Sequence, residues 1–367
     1  MIEIRSLTGL RGLAALWVVA LHYTAGAGWT GTDFWFRLAA SGMEGVIIFF
    51  LLSGFILNHV YGASALRAYI PFLWTRFARV YPLHFATLIA FGIIARHYEQ
   101  IHPDDGIYTF LLNVFLVQAW GFVDHLSWNA LSWTISIELL CYLLFPFAAY
   151  WLARRSILFC AAIVGICLTA IAYVPYEHLL QALGLVRGVQ PLAYGFYIFH
   201  FSWLFFAGMA LQRVTSELHT TVTDQRVFDA SLAIGLAIVV YKGSHPPVFD
   251  WSIAAGAGLM IIGLANGKGL GAVLFGNPVV FFLGEISYAL YLTHGMVHMV
   301  FSQSFPRAPI YVVAAVAIMI AAPIYYLFER PARKLLRNLV VRDYAPEVTL
   351  RLVADENYPL PRAARQD

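Results

Sequence analysis

Arg11 and His22 stand eleven residues apart in an otherwise apolar stretch that opens with Leu10-Arg11-Gly12. Eleven helical steps of about 100° return almost to the starting azimuth with a rise of about 16 Å, so both side chains lie along one helix face. An ionisable group inside an apolar span costs about 2.5–3.5 kcal/mol on insertion scales, which makes each one a candidate site residue. Snorkelling of Arg11 and interhelical bonding of His22 are the plainer readings. Arg76 and Arg79, in Arg76-Phe77-Ala78-Arg79, share a face by the same periodicity. Two adjacent guanidinium groups suit phosphate oxygens through bidentate hydrogen bonds, while anchoring to lipid headgroups is the alternative.

Three further places carry chemistry. Glu138 ends the string Trp133-Thr134-Ile135-Ser136-Ile137-Glu138 and Tyr142 follows one turn later, so a carboxylate inside an apolar run requires a cationic or hydrogen-bonding partner in the bundle. His294 closes Ser287-Tyr288-Ala289-Leu290-Tyr291-Leu292-Thr293-His294, with His298 one turn on. Two histidines at that spacing could hold a metal, but no third ligand has a place, and no metal is expected. Glu329-Arg330-Pro331 precedes Arg333, Lys334 and Arg337, a cationic run suited to a helix C-terminus and an anionic leaflet.

The elements that position these groups must be membrane helices. Of 367 residues, 60% are hydrophobic and 12% charged, against about 25% charged in a soluble domain. Apolar runs near 9–28, 43–61, 72–95, 131–153, 156–174, 191–212, 228–241, 250–266, 276–302 and 308–328 predict about ten transmembrane helices, an all-α integral membrane fold. The apolar segment 108–122 is short and reads as re-entrant or interfacial. With that segment not crossing and the N-terminus cytoplasmic, 18 of the 23 basic residues fall inside, leaving Arg37, Arg96, Arg187, Lys242 and Arg307 outside. Both termini are then cytoplasmic. Residues 1–340 form the membrane domain, and the polar, proline-containing 341–367 is a flexible cytoplasmic tail. The start of the chain has no small-residue cleavage site, so residues 9–28 read as a retained span. Cys141, Cys160 and Cys167 lie in apolar stretches and read as structural thiols. A net charge of +3 gives no argument for nucleic acid.

Taken together the motifs resemble the acyltransferase-3 family of integral membrane O-acyltransferases, over about Leu7 to Arg333. The marks are Leu10-Arg11-Gly12 with His22; Gly45-Val46 and Phe49-Phe50-Leu51-Leu52-Ser53-Gly54-Phe55; and Arg76-x-x-Arg79 before Tyr81-Pro82. They continue with Trp133-x-x-Ser136-x-Glu138 and Tyr142-Leu143-Leu144-Phe145-Pro146, then Ile286-Ser287-Tyr288 leading to His294, and Glu329-Arg330-Pro331. The resemblance implies a cytoplasmic acyl-CoA, usually acetyl-CoA, held by Arg11, Arg76 and Arg79, with His22 as the essential catalytic residue, either general base or acyl acceptor. It implies an acceptor hydroxyl on a glycan or lipid-linked saccharide at the extracytoplasmic side of the bacterial inner membrane. Glu138 is expected to orient an imidazole or an arginine, and Ser136, Tyr142, His294, Glu44, Trp133 and Glu329 to line the cavity.

The chain departs from the family pattern at Thr8, Ile47 and Leu139-Leu140, where many members carry Asp, Asp and Glu-Gln; Glu44 is a candidate replacement for the carboxylate missing at Ile47. Little sequence follows Arg330, so the fused esterase-like domain of some members is expected to be lacking, and acceptor choice to rest on the membrane domain, a separate extracytoplasmic partner or a homo-oligomer. Two other classes compete. A transporter or exporter of a polar or glycan substrate would explain intramembrane charge but ordinarily shows internal repeats and broken helices, neither of which is evident in the sequence. A structural or assembly protein has little support.

Overall fold

In a bilayer the backbone must satisfy its own N–H and C=O groups, and the apolar runs accordingly fold as helices. The computed structural model describes residues 4–26, 33–123, 125–173, 193–245, 251–305 and 308–341, among which no strand occurs. In chain order the α-helices are α1 (Arg5–Gly26), α2 (Phe34–Ala40), α3 (Glu44–Val60), α4 (Tyr69–His97), α5 (Ile107–Val114), α6 (Trp133–Leu152), α7 (Ile157–Tyr173) and α8 (Ala193–Thr221). They continue with α9 (Gln225–Gly243), α10 (Trp251–Leu264), α11 (Gly269–Leu274), α12 (Pro278–Glu285), α13 (Ser287–Ser304), α14 (Ile310–Ile324) and α15 (Arg330–Val341). A π turn, Tyr325–Glu329, joins the last two.

Over its described residues each of the ten apolar runs falls on a helix or, at 276–302, on two, but among the described residues three stretches suffice by length and hydropathy to cross a membrane alone: α4, the segment 130–152 containing α6, and 310–339 containing α14 and α15. Two bent pairs, α2 with α3 at 51° and α12 with α13 at 68°, bring the number to five if each is one span. The 276–302 run is therefore not the straight helix that its unbroken apolarity suggests. Asn277 caps α12 by accepting from the amides of Val279 and Val280, and Pro278 occupies its first turn. The helix then stops at Glu285. The helix α5, which overlaps the 108–122 segment, has eight residues, a rise of about 12 Å that cannot cross a bilayer. Asn113 of α5 donates to Ser127 Oγ, its carbonyl faces His84 Nε2, and Gln118 donates to Ser132, so this segment is knitted onto α4 and the start of α6. Residues 342–367, most of the expected tail, lie outside the described residues.

The outside is apolar as well as the core. Leu158 is 84% exposed, Leu327 78% and Ile93 67%, a distribution that suits lipid and not water. Inside, α3 packs on α8, α9 on α10, and α1 against α3, α12 and α13. The α1–α12 contact is close enough to demand glycine: a Cβ on Gly12 would meet the backbone of Leu283 and Gly284, and one on Gly284 would meet the backbone of Thr8. The three cysteines are free and buried.

Candidate active site

The break between α12 and α13 builds the first part of the site. A helix end leaves its last carbonyls without partners, and the carbonyl of Gly284 accepts from Ser287 Oγ at 2.8 Å and from Arg11 Nη2 at 3.1 Å. The glycine contact that brings α1 against α12 thus also fixes the Arg11 guanidinium. One long face of α1 meets one broken span, with Arg11 on α12 and His22 on α13, as their shared azimuth requires.

Arg11 borders a cavity of about 240 Å³. Arg76, Arg79 and Arg333 also line it, with Glu138 and Glu285, so four arginines and two glutamates share its lining. An arc of α3, from Phe49 to Val60, supplies an apolar wall. The Arg76 guanidinium is buried, donates to the Tyr61 hydroxyl at 2.7 Å and lies over the Tyr61 ring. Glu138 accepts from Ser53 Oγ at 3.0 Å. Tyr142, one turn beyond, lines the same cavity. Tyr325 donates to Glu285 at 3.3 Å, and Tyr288 donates to the carbonyl of Val80 at 2.6 Å, which ties α13 to α4 beside Arg79.

His22 and His294 sit apart from these charges. His22 Nδ1 lies 2.9 Å from the carbonyl of Val18 and 3.3 Å from Nε2 of His294. His294 Nδ1 lies 3.1 Å from the carbonyl of Leu290, and the hydroxyl of Tyr23 donates to the carbonyl of His294. His294 is fully buried, whereas His22 is partly exposed. His298 stacks on Tyr23 at 5.4 Å between ring centroids. Among the described residues no group of three or more His, Cys, Asp or Glu side chains converges as metal ligands do. Tyr291 joins the two regions: it lines the cavity, its ring lies 5.8 Å from that of Phe49 and 6.0 Å from that of His294, and its hydroxyl accepts from Thr134 Oγ1.

The sequence candidates therefore divide. Arg11, Arg76, Arg79, Glu138 and Tyr142 come together around the cavity, and His22 pairs with His294 beyond Tyr291. Glu138 shares the arginines' chamber and not the histidines'. Ser136, Trp133, Glu44, Glu329 and His294 are not among the lining residues. Ser136 Oγ accepts from the amide of Ala119 and its carbonyl from Trp120 Nε1, so it holds the 116–120 loop. Trp133 packs on Phe201, Glu44 is buried at the start of α3, and Glu329 is buried in the π turn. Ser53, Tyr288, Tyr291, Tyr325 and Arg333 are site residues that sequence reasoning did not single out. The first three lie inside motif strings quoted above, and the cationic run containing Arg333 reads in the sequence as suited to a helix C-terminus and an anionic leaflet.

Residues 4–328 match the family model described as an acyltransferase domain. A curated relative named acyltransferase MdmB, from Streptomyces mycarofaciens, is 30% identical over 320 residues, covering 81% of this chain and 79% of that protein. A second, protein 2 in the picA locus of Rhizobium radiobacter, is 38% identical over 95 residues, 25% of this chain and 44% of that protein. No solved structure matches the chain.

Proposed function

Because the chain belongs to the acyltransferase-3 family, whose domain it matches over residues 4–328, we propose that it is a membrane O-acyltransferase carrying an acyl group from cytoplasmic acyl-CoA to a hydroxyl on the other side of the bilayer. That it is an acyl-transferring enzyme follows from the family and from the acyltransferase relative. The donor, the acceptor and the residue roles are our reading. The observation that carries it is the convergence of Arg11, Arg76, Arg79 and Arg333 on one cavity whose far wall, Tyr291, is shared with the His22–His294 pair.

CoA is a polyanion, and guanidinium groups are matched to its phosphates. Arg11, Arg76 and Arg79 hold the donor, and Arg333 adds to the field. The apolar wall from Phe49 to Val60 takes the thin acyl-pantetheine arm, which runs along α1 toward His22. In the transfer, His22 takes the proton of the acceptor hydroxyl while the oxygen forms its bond to the thioester carbonyl carbon. The carbon–sulfur bond then breaks, and the leaving thiolate is protonated from the imidazolium to give free CoA thiol. Direct attack by the imidazole, giving an acyl-histidine, uses the same nitrogen lone pair. Glu138 balances the arginines and orients the Arg76 and Arg79 side.

Acetyl is the first acyl group to test, and a glycan or lipid-linked saccharide the first acceptor. The positive-inside distribution supports an inner-membrane protein with both termini cytoplasmic. The 68° break between α12 and α13 is a feature shared with transporters, so one experiment addresses both readings. Purified protein in lipid nanodiscs is given acetyl-CoA and assayed for thiol release, while surface glycans and lipids of cells with and without the gene are compared by mass spectrometry. Thiol release and a lost mass increment of one acyl group support the enzyme. Accumulation of an unmodified glycan in vesicles, without thiol release, supports transport instead.

A further inference from the structure

The two histidines are chemically unequal, and their surroundings fix which nitrogen can react. A carbonyl oxygen only accepts, so His294 Nδ1, 3.1 Å from the carbonyl of Leu290, carries a hydrogen. Its Nε2 is then a lone pair, and that lone pair faces Nδ1 of His22 at 3.3 Å. His22 Nδ1 also faces the carbonyl of Val18 at 2.9 Å. Two acceptors on one nitrogen require that this nitrogen bear the hydrogen. The opposite assignment would set the lone pair of His22 Nδ1 against the carbonyl oxygen of Val18, and that of His294 Nδ1 against Leu290, both repulsive. His22 is thus held as the Nδ1–H tautomer.

We propose that His294 is a positioning residue that locks His22 in the Nδ1–H tautomer and leaves Nε2 as the reacting atom, with the Val18 carbonyl as second acceptor. This rests on His22 being the reacting group of the proposed transfer. Burial supports the division, since His294 is fully buried and cannot itself meet an acceptor, whereas His22 is partly exposed. When Nε2 takes the acceptor's proton, the hydrogen bond from Nδ1 becomes charge-assisted and strengthens, so the pair favours the protonated intermediate over the resting state. No carboxylate is needed in this arrangement. A histidine lone pair fills the orienting place that an aspartate takes in other imidazole-based sites.

The test compares His294→Leu, His294→Gln and Tyr23→Phe in nanodiscs, with initial rates of thiol release from acetyl-CoA, water serving as acceptor. Tyr23→Phe removes a bond to the backbone of His294 without touching the ring pair, and controls for local loosening. His294→Leu is expected to lower kcat by about 10- to 100-fold, the range for lost orienting partners, with KM for acetyl-CoA within about twofold. His294→Gln, whose amide oxygen can still accept, recovers most of that loss, and Tyr23→Phe leaves kcat within about twofold. Melting temperatures and size-exclusion profiles verify that each variant is folded. Independently, ¹⁵N NMR of histidine-labelled protein, with the His22 signal assigned by subtraction of His22→Ala, is expected to show hydrogen on Nδ1 of His22. Hydrogen on Nε2 of His22, unchanged kcat in a folded His294→Leu, or equal losses in the Leu and Gln variants overturns the proposal. Absence of thiol release by the wild type, or full activity of His22→Ala, instead refutes the reading on which it rests.

Discussion

The cavity and the histidine pair both place polar groups inside an apolar bundle, and they do so in opposite ways. Four arginines and two glutamates border the cavity, with Tyr142, Tyr288, Tyr291 and Tyr325 in the same lining. The pair lies against backbone carbonyls one turn back on its own helices, Val18 for His22 and Leu290 for His294, and is neutral in the proposed resting tautomer. Guanidinium groups inside a membrane domain are costly unless carboxylates, hydrogen bonds or a bound anion satisfy them. A neutral imidazole held by carbonyls carries no such demand. The proposed reaction uses this difference: the charged cavity is proposed to bind the donor, and the neutral imidazole pair to carry the chemistry.

The largest expected effect of breaking this division is at His22. His22→Ala is expected to reduce the rate of acyl transfer by about 10²- to 10⁴-fold, the usual range for loss of a general acid–base group, while abundance in the membrane, read by quantitative immunoblot, is unchanged. Next come the arginines. Arg79→Ala is expected to raise KM for acetyl-CoA by about 10- to 100-fold, corresponding to a lost charge-assisted hydrogen bond of about 1.5–3 kcal/mol. The kcat of that variant at saturation should move far less. Kinetics with dephospho-CoA thioesters then sharpens the assignment, since an arginine that serves the removed phosphate shows a smaller penalty with them.

A smaller effect is expected at the seam. Phe49 faces Tyr291 in the cavity lining, so Phe49→Ala enlarges the cavity beside Tyr291 and should shift the kcat/KM ratio of butyryl-CoA to acetyl-CoA upward by about 10-fold, as one or two methylene-sized accommodations allow. A ratio that stays at the wild-type value would place the acyl group elsewhere. The smallest effect lies outside both regions. Gln118 donates to Ser132 where the 116–120 loop rests on the start of α6. Gln118→Ala is expected to lower the melting temperature by a few degrees, about 2–4 °C for each kcal/mol lost, with KM for acetyl-CoA unchanged.

Much of this arrangement is legible in the sequence because ionisable residues are so scarce in it. Arg11, Arg76, Arg79 and Glu138 are conspicuous as charges in apolar helices, and all four meet at the cavity. The periodicity of a helix carried further information than the motif string. Ser136 and Glu138 are two residues apart, about 200° around the helix, so they cannot both face one chamber, and Ser136 indeed turns to the loop. The pairing of His22 with His294 is invisible in one dimension, since it depends on α1 crossing α13. The break after Glu285 was hidden for another reason: Gly284 and Ser287 are small and compatible with a helix, and only the approach of α1 and the bond from Arg11 show why the chain stops there. Phe49 and Tyr291 lie inside quoted motif strings but do not stand out individually, because aromatic residues are common throughout the chain.

The division between binding and chemistry is tested most directly by calorimetric titration of nanodisc-embedded wild type, His22→Ala and Arg79→Ala with a non-hydrolysable acetyl-CoA thioether. The account predicts that His22→Ala binds the analogue within about twofold of wild type although its transfer is about 10²- to 10⁴-fold slower, whereas Arg79→Ala binds about 10- to 100-fold more weakly. Weakened binding in His22→Ala together with wild-type binding in Arg79→Ala would contradict it.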